Sequence, residues 1–191
     1  MATPQPIFYY DLGSPYAYLA AERIQHVLPV VPIWQPILLG GIWKETGGRS
    51  WATTEERDEG MAEVERRAAE YGLMPIRWPD GWPNNTLTAM RAAIFAQQTG
   101  RAVAFSLAAF RQAFAGGKDL SEVDNVLVAA AACELHPSAV LKGISMQSTK
   151  GRLREATREA FERGVRGVPT LAVGDRLFWG DDRLEEAAAA L

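Results

Sequence analysis

Ser14, in the run Asp11-Leu12-Gly13-Ser14-Pro15-Tyr16, stands between a short apolar segment and an amphipathic one. A serine at such a junction can cap the following helix through its side-chain oxygen. It can also donate a hydrogen bond to the sulfur of an external thiol, with the helix amides and dipole favouring the thiolate. A free thiol has a pKa of about 8.5, and lowering that value by one or two raises the thiolate fraction several-fold or more at neutral pH. The residue types leave both roles open.

Two segments near the other end carry complementary chemistry. In Gly167-Val168-Pro169-Thr170, a cis Val168–Pro169 bond would free the Val168 N–H and C=O to pair with an extended ligand. A trans proline would instead begin an edge strand. In Phe178-Trp179-Gly180-Asp181-Asp182-Arg183, two carboxylates open a helix, where an ammonium group can bind. The alternative is that Asp181 caps the helix and Asp182 is solvated.

Other residues carry less. Trp78, Pro79, Trp82 and Pro83 cluster just before Asn84 and Asn85. The tryptophans can wall an aromatic substrate pocket or pack between domains. Asn84 and Asn85 can contact substrate, and Asn85 can also cap the next helix. Cys133 reads as a small buried hydrophobe. His26 and His136 are isolated and are given no catalytic role.

The elements that must position these residues follow from periodicity. Residues 7–11 read as a buried strand, 12–15 as a break, and 16–27 as a helix with Tyr16, Leu19, Ala20, Ile24 and Val27 on one face. Residues 30–38 read as a second strand, interrupted by Pro32 and Pro36. From about Gly40 to Gly164 the chain reads as helical throughout. A capping box at Thr53-Thr54-Glu55-Glu56 opens a helix that stops at Gly72. Further helices are expected from Asn85 to Gly100, over 102–115, from Ser121 through Leu135, and over 147–163. Strands return at 170–173 and 177–179 around a Gly174-Asp175 turn, and a helix closes the chain over 181–190.

The order is β-α-β, a long helical block, then β-β-α. That is an α/β arrangement: a thioredoxin-like domain split by an all-helical insertion, with residues 1–40 and 165–191 in one domain and 41–164 in the other. In such a framework Ser14 and Ala17 stand where the two redox cysteines would be.

Composition sets limits on function. The chain has 191 residues, long enough to bury a real core, and its 20 basic and 23 acidic residues are intermixed. No basic face is expected for nucleic acid. No apolar run reaches a membrane span, and the opening lacks the basic and apolar regions of a secretory leader, so a cytoplasmic protein is expected. With Cys133 as the single cysteine, an intramolecular disulfide and disulfide exchange by this chain alone are excluded. Two histidines and one cysteine give no basis for a metal site.

The segments FYYDLGSPYAYLA, PILLGGIWKETG, WPNNTLTAMRAA and GVPTLAVGDRLFWGDDRLEEA resemble the family of 2-hydroxychromene-2-carboxylate isomerases and kappa-class glutathione transferases. The resemblance covers nearly the whole chain, and its first and last motifs are specific. It implies that Ser14 holds the sulfur of glutathione, that the Val168 backbone pairs with the cysteinyl part, and that Pro169 is cis. It implies that Asp181 and Asp182 take the γ-glutamyl end, with Asp182 on the amino group and Trp179 beside them. Lys44 and Arg49 are the cations for a substrate carboxylate, with Trp82, Asn84 and Asn85 also on the substrate side. The family often has Asn followed by Lys or Arg where this chain has Gly48-Arg49, which leaves another low-molecular-weight thiol open as cofactor.

The activity so implied is thiol-dependent cis-trans isomerisation of a small aromatic carboxylate. Thiolate adds to an activated double bond, the bond rotates, and elimination restores it. Conjugation of the thiol to electrophiles, as in the kappa-class transferases, uses the same site. A non-catalytic thiol- or peptide-binding module is the third reading. The resemblance also implies a homodimer.

Overall fold

A computed structural model describes residues 5–191. The first four residues of the segment read as lacking a leader lie outside the described residues.

Strand β1 (Ile7–Tyr10) is apolar on both faces because both are covered. Alternate side chains of a strand point to opposite faces. Phe8 and Tyr10 enter the larger core, where they meet Trp34 and Phe110, while Ile7 and Tyr9 face a second cluster with Ala156, Ala160 and Val165. Strand β2 (Ile33–Pro36) lies parallel to β1, and β3 (Thr170–Val173) and β4 (Arg176–Trp179) form an antiparallel hairpin on its other side. The sheet order is β2-β1-β3-β4. The thioredoxin-like α/β framework with a helical insertion is the architecture observed.

Helix α1 (Pro15–Val27) follows β1 directly, with Pro15 in its first turn. The helices between β2 and β3 are α2 (Leu39–Thr46), α3 (Arg57–Glu70), α4 (Leu87–Gln98), α5 (Ala102–Phe114), α6 (Val123–Ala131), α7 (Pro137–Ser145) and α8 (Gln147–Glu162). Helix α9 (Leu184–Ala188) closes the chain after a single 3-10 turn at Asp181–Arg183, where one helix over 181–190 was expected.

Three other expectations need correction. The insertion is not helical throughout, since residues 73–86 are a loop. Pro75, Pro79 and Pro83 remove the N–H donors that a helix there would need. The expected capping box does not form. Ser50 caps a 3-10 turn at Trp51–Thr53 instead, the Thr54 hydroxyl donates back to the Trp51 carbonyl, and α3 begins at Arg57. Helix α6 stops at Ala131 rather than Leu135: Glu134 is left-handed (φ 63°) and the Leu135 N–H returns to the Ala130 carbonyl. His136, given no catalytic role, caps α7 by accepting the Ser138 N–H.

Among the described residues, no helix is long and apolar enough to cross a membrane.

Candidate functional site

Sheet register decides where the candidate residues meet. Tyr9 lies opposite Thr170, and Thr170 opposite Trp179. The end of β1, the start of β3 and the end of β4 therefore share one end of the sheet. The turn holding Ser14, the Val168–Pro169 segment and the Asp181–Asp182 turn emerge there together.

Ser14 is only 7% exposed and caps α1, its Oγ accepting the Ala17 N–H at 3.2 Å. The cap uses a lone pair. The hydroxyl proton has no acceptor among the described residues. Capping and donation to an external sulfur are thus compatible in one side chain.

Asp11 holds the Ser14 turn in place. Its Oδ1 accepts from the Gly13 N–H (2.9 Å) and the Thr86 hydroxyl (3.0 Å), and its Oδ2 accepts from the Leu39 N–H (2.9 Å) at the start of α2. Burial pushes the Asp11 carboxyl up, against the pull of these donors. Gly13 lies so close to Thr86 that an added Cβ would sit 3.2 Å from the threonine methyl.

Aromatic rings flank this turn. Trp82 donates its indole N–H to the Gly13 carbonyl at 3.3 Å. Its ring centre is 5.2 Å from that of Trp51 and 4.7 Å from that of Trp78, and Trp51 lies 6.1 Å from Tyr16. Arg57 donates to the Trp82 carbonyl at 2.7 Å, and its guanidinium has no carboxylate partner among the described residues.

The Val168–Pro169 peptide is cis. Neither the N–H nor the C=O of Val168 has a partner among the described residues, while the Pro169 carbonyl accepts the Gly180 N–H at 3.0 Å. Trp179 is 60% exposed, and its indole lies on Gly167, where a Cβ would come within 2.5 Å of the ring.

The two aspartates separate. Asp181 is 1% exposed, its Oδ1 paired with Arg67 and its Oδ2 with the Tyr71 hydroxyl, both at 2.9 Å. Burial pushes the Asp181 carboxyl up, and Tyr71 and Arg67 pull it back; the Tyr71 phenol is pushed up to about 12 by burial and by Asp181. The Asp182 side chain is 56% exposed and 3.7 Å from Arg67. The Asp181 carboxylate is satisfied inside the protein, and the Asp182 carboxylate faces outward.

The other predicted residues are less central. Lys44 and Arg49 are exposed, and their side chains make no hydrogen bond or ion pair among the described residues. Asn84 donates to the Asp80 carbonyl at 3.0 Å, and Asn85 accepts the Leu87 N–H at 3.0 Å, one residue before the α4 N-cap Thr86. At Gly48 an added Cβ would lie 2.5 Å from the Trp43 ring, so that indole occupies the space a side chain would need. Sequence reasoning missed Arg57, Arg67, Tyr71 and Thr86. Glu63, Arg67 and Tyr71 do recur every four residues, but so do solvated charges elsewhere on α3.

A family model described as a DSBA-like thioredoxin domain matches residues 7–191. The chain belongs to this family. Within the DSBA-like proteins it groups with the 2-hydroxychromene-2-carboxylate isomerases and kappa-class glutathione transferases. It is 30% identical over 188 residues to a 2-hydroxychromene-2-carboxylate isomerase of Sphingobium xenophagum, covering 93% of each chain. It is 26% identical over 200 residues to glutathione S-transferase kappa 1 of Rattus norvegicus, covering 96% of this chain and 88% of that one. Among solved structures, a 2-hydroxychromene-2-carboxylate isomerase superposes with a TM-score of 0.87 at 25% identity, covering 97% of this chain and 93% of that one.

Proposed function

We propose that the protein is a thiol-dependent isomerase of small aromatic carboxylates, resembling 2-hydroxychromene-2-carboxylate isomerase, with glutathione or another low-molecular-weight thiol as cofactor. The observation that carries this is the free Ser14 O–H at the N-terminus of α1, buried beside the Trp82 wall. The residues present suit an extended thiol. Ser14 offers a donor for sulfur, Val168 an unpaired N–H and C=O, and Asp182 an outward carboxylate for an ammonium group.

When bound, the thiol supplies a sulfur nucleophile that adds to an activated carbon–carbon double bond and leaves again after rotation. The chain itself does the rest. Ser14 donates to the sulfur, and the α1 dipole lowers the cost of its negative charge. Val168 aligns the ligand backbone in strand-like fashion. Trp51 and Trp78, half-buried and packed on the buried Trp82, offer the aromatic surface for a substrate ring and exclude water. Lys44 and Arg49 are cations for a carboxylate, and Arg57, bonded to the Trp82 carbonyl, is a third. We place the protein in the cytoplasm as a homodimer.

The test is incubation of a 2-hydroxychromene-2-carboxylate with the protein, with and without glutathione, followed by absorbance. Thiol-dependent conversion to the ring-opened isomer supports the reading, and no conversion with any thiol overturns it. The similarity to the rat kappa-class transferase favours a second reading, conjugation to electrophiles. A released thioether adduct, seen by mass spectrometry in place of isomerised substrate, would establish that reading instead.

A further inference from the structure

We propose that Arg67 is a positioning residue for recognition of the ligand's ammonium group: by holding Asp181 as its buried counter-ion, it fixes the turn that points Asp182 outward. The inference rests on the reading above, in which the thiol brings an ammonium group to Asp182.

The two aspartates are adjacent in sequence, and the structure gives them opposite fates. Three side chains grip Asp181. Arg67 of α3 and Tyr71, just past the end of that helix, take its two carboxylate oxygens, and Arg23 of α1 donates to its backbone carbonyl at 2.9 Å. Glu63, one turn before Arg67, accepts the Arg67 Nε at 2.7 Å and so orients the guanidinium. Asp182 receives no hydrogen bond to its side chain and stays open to solvent. Gly180 completes the turn. Its φ of 124° suits glycine, and a Cβ there would overlap Asp182 Oδ1.

The local charge balance suits a cation. Arg23, Arg67 and Arg183 stand among Asp181, Asp182, Glu63, Glu185 and Glu186, so carboxylates outnumber guanidinium groups around the turn. A plain charge effect and a positioning effect predict opposite signs. Removing a cation 3.7 Å from Asp182 would, by charge alone, tighten binding of an ammonium group. Removing the group that holds the turn weakens it.

The test is calorimetric titration of the full chain with glutathione and with glutathione acetylated on its γ-glutamyl nitrogen. The wild type is expected to prefer the free-amine form by about ten-fold or more. Arg67→Met is expected to reduce that preference to within about two-fold, as is Asp182→Asn, and the double variant to lose no more than either single one. Arg67→Lys restores part of the preference. Tyr71→Phe leaves Arg67 in place, gives an intermediate value, and carries the test should Arg67→Met fail to fold. A folded Arg67→Met that keeps the wild-type preference, or binds the free amine more tightly, overturns this inference alone. So does an unchanged preference in Tyr71→Phe where Arg67→Met does not fold. A wild type that binds neither form rules out glutathione as the cofactor and overturns this inference with it.

Discussion

Ser14 Oγ accepts the Ala17 backbone N–H at 3.2 Å, and the Ser14 proton is left without an acceptor among the described residues. One hydroxyl can therefore end the helix and face a ligand at once. The two roles separate by substitution. Ser14→Asp keeps a good cap but offers a carboxylate in place of a donor. Its thiol binding and turnover should collapse, and the carboxylate placed at a 7% exposed position should cost stability of its own in urea. Ser14→Ala should lose about 1 kcal/mol of stability together with the binding. Loss of stability with unchanged turnover in Ser14→Ala would assign Ser14 to capping alone.

Asp11 predicts a larger structural effect. Asp11→Ala strips acceptors from the Gly13 N–H, the Leu39 N–H and the Thr86 hydroxyl. Unsatisfied buried donors cost about 1–3 kcal/mol each, so a loss of about 2–3 kcal/mol is expected in urea unfolding, relieved in part by removing a buried charge. A loss below about 0.5 kcal/mol, the usual size for a surface change, would contradict the clamp.

Gly180→Ala should act on the Asp182 turn. The φ of 124° disfavours any side chain, and the new Cβ would meet Asp182 Oδ1. A backbone held in such a region costs on the order of 1–3 kcal/mol. Melting should show that loss, and glutathione titration should show weaker binding; unchanged values in both would mean the turn relaxes freely.

Tyr71 gives a pH test. Its phenol is pushed from the ordinary 10.0 up to about 12, by burial first and Asp181 second. The folded value lies above the unfolded one, so the stabilisation it reflects is complete below about pH 10 and is lost as pH rises through about 12. Absorbance titration at alkaline pH, compared with Tyr71→Phe to separate it from Tyr18, should show this late ionisation. Asp181→Asn should move it downward. Ordinary titration of Tyr71 in the wild type would contradict the hydrogen bond to Asp181.

What the sequence shows and hides follows from the range of each interaction. The cap at Ser14, the Val168–Pro169 pair and the acidic turn at Asp181–Asp182 are local patterns, and the β-α-β and β-β-α order brings them to one end of the sheet. Arg67 and Asp181 are distant in the chain, so no local pattern joins them. Arg66 pairs with Glu63 and Glu70 in solvent, while Arg67, turned about 100° further round the helix, reaches the buried aspartate. Composition cannot tell these two arginines apart. Lys44 and Arg49 stand beside the glycines that end α2, a place that suggests a ligand cation, yet their side chains make no contact with the site's polar groups. Arg57 reaches the aromatic wall because residues 73–86 fold back as a loop. Its three prolines, Pro75, Pro79 and Pro83, are the local signal for that loop.

The most direct measurement is calorimetric titration of the wild type and Ser14→Ala with glutathione. Saturable binding to the wild type, weakened about ten-fold or more in Ser14→Ala, is the result predicted for a hydroxyl that donates to sulfur. Equal affinity in the two proteins, or no binding to the wild type, would contradict it.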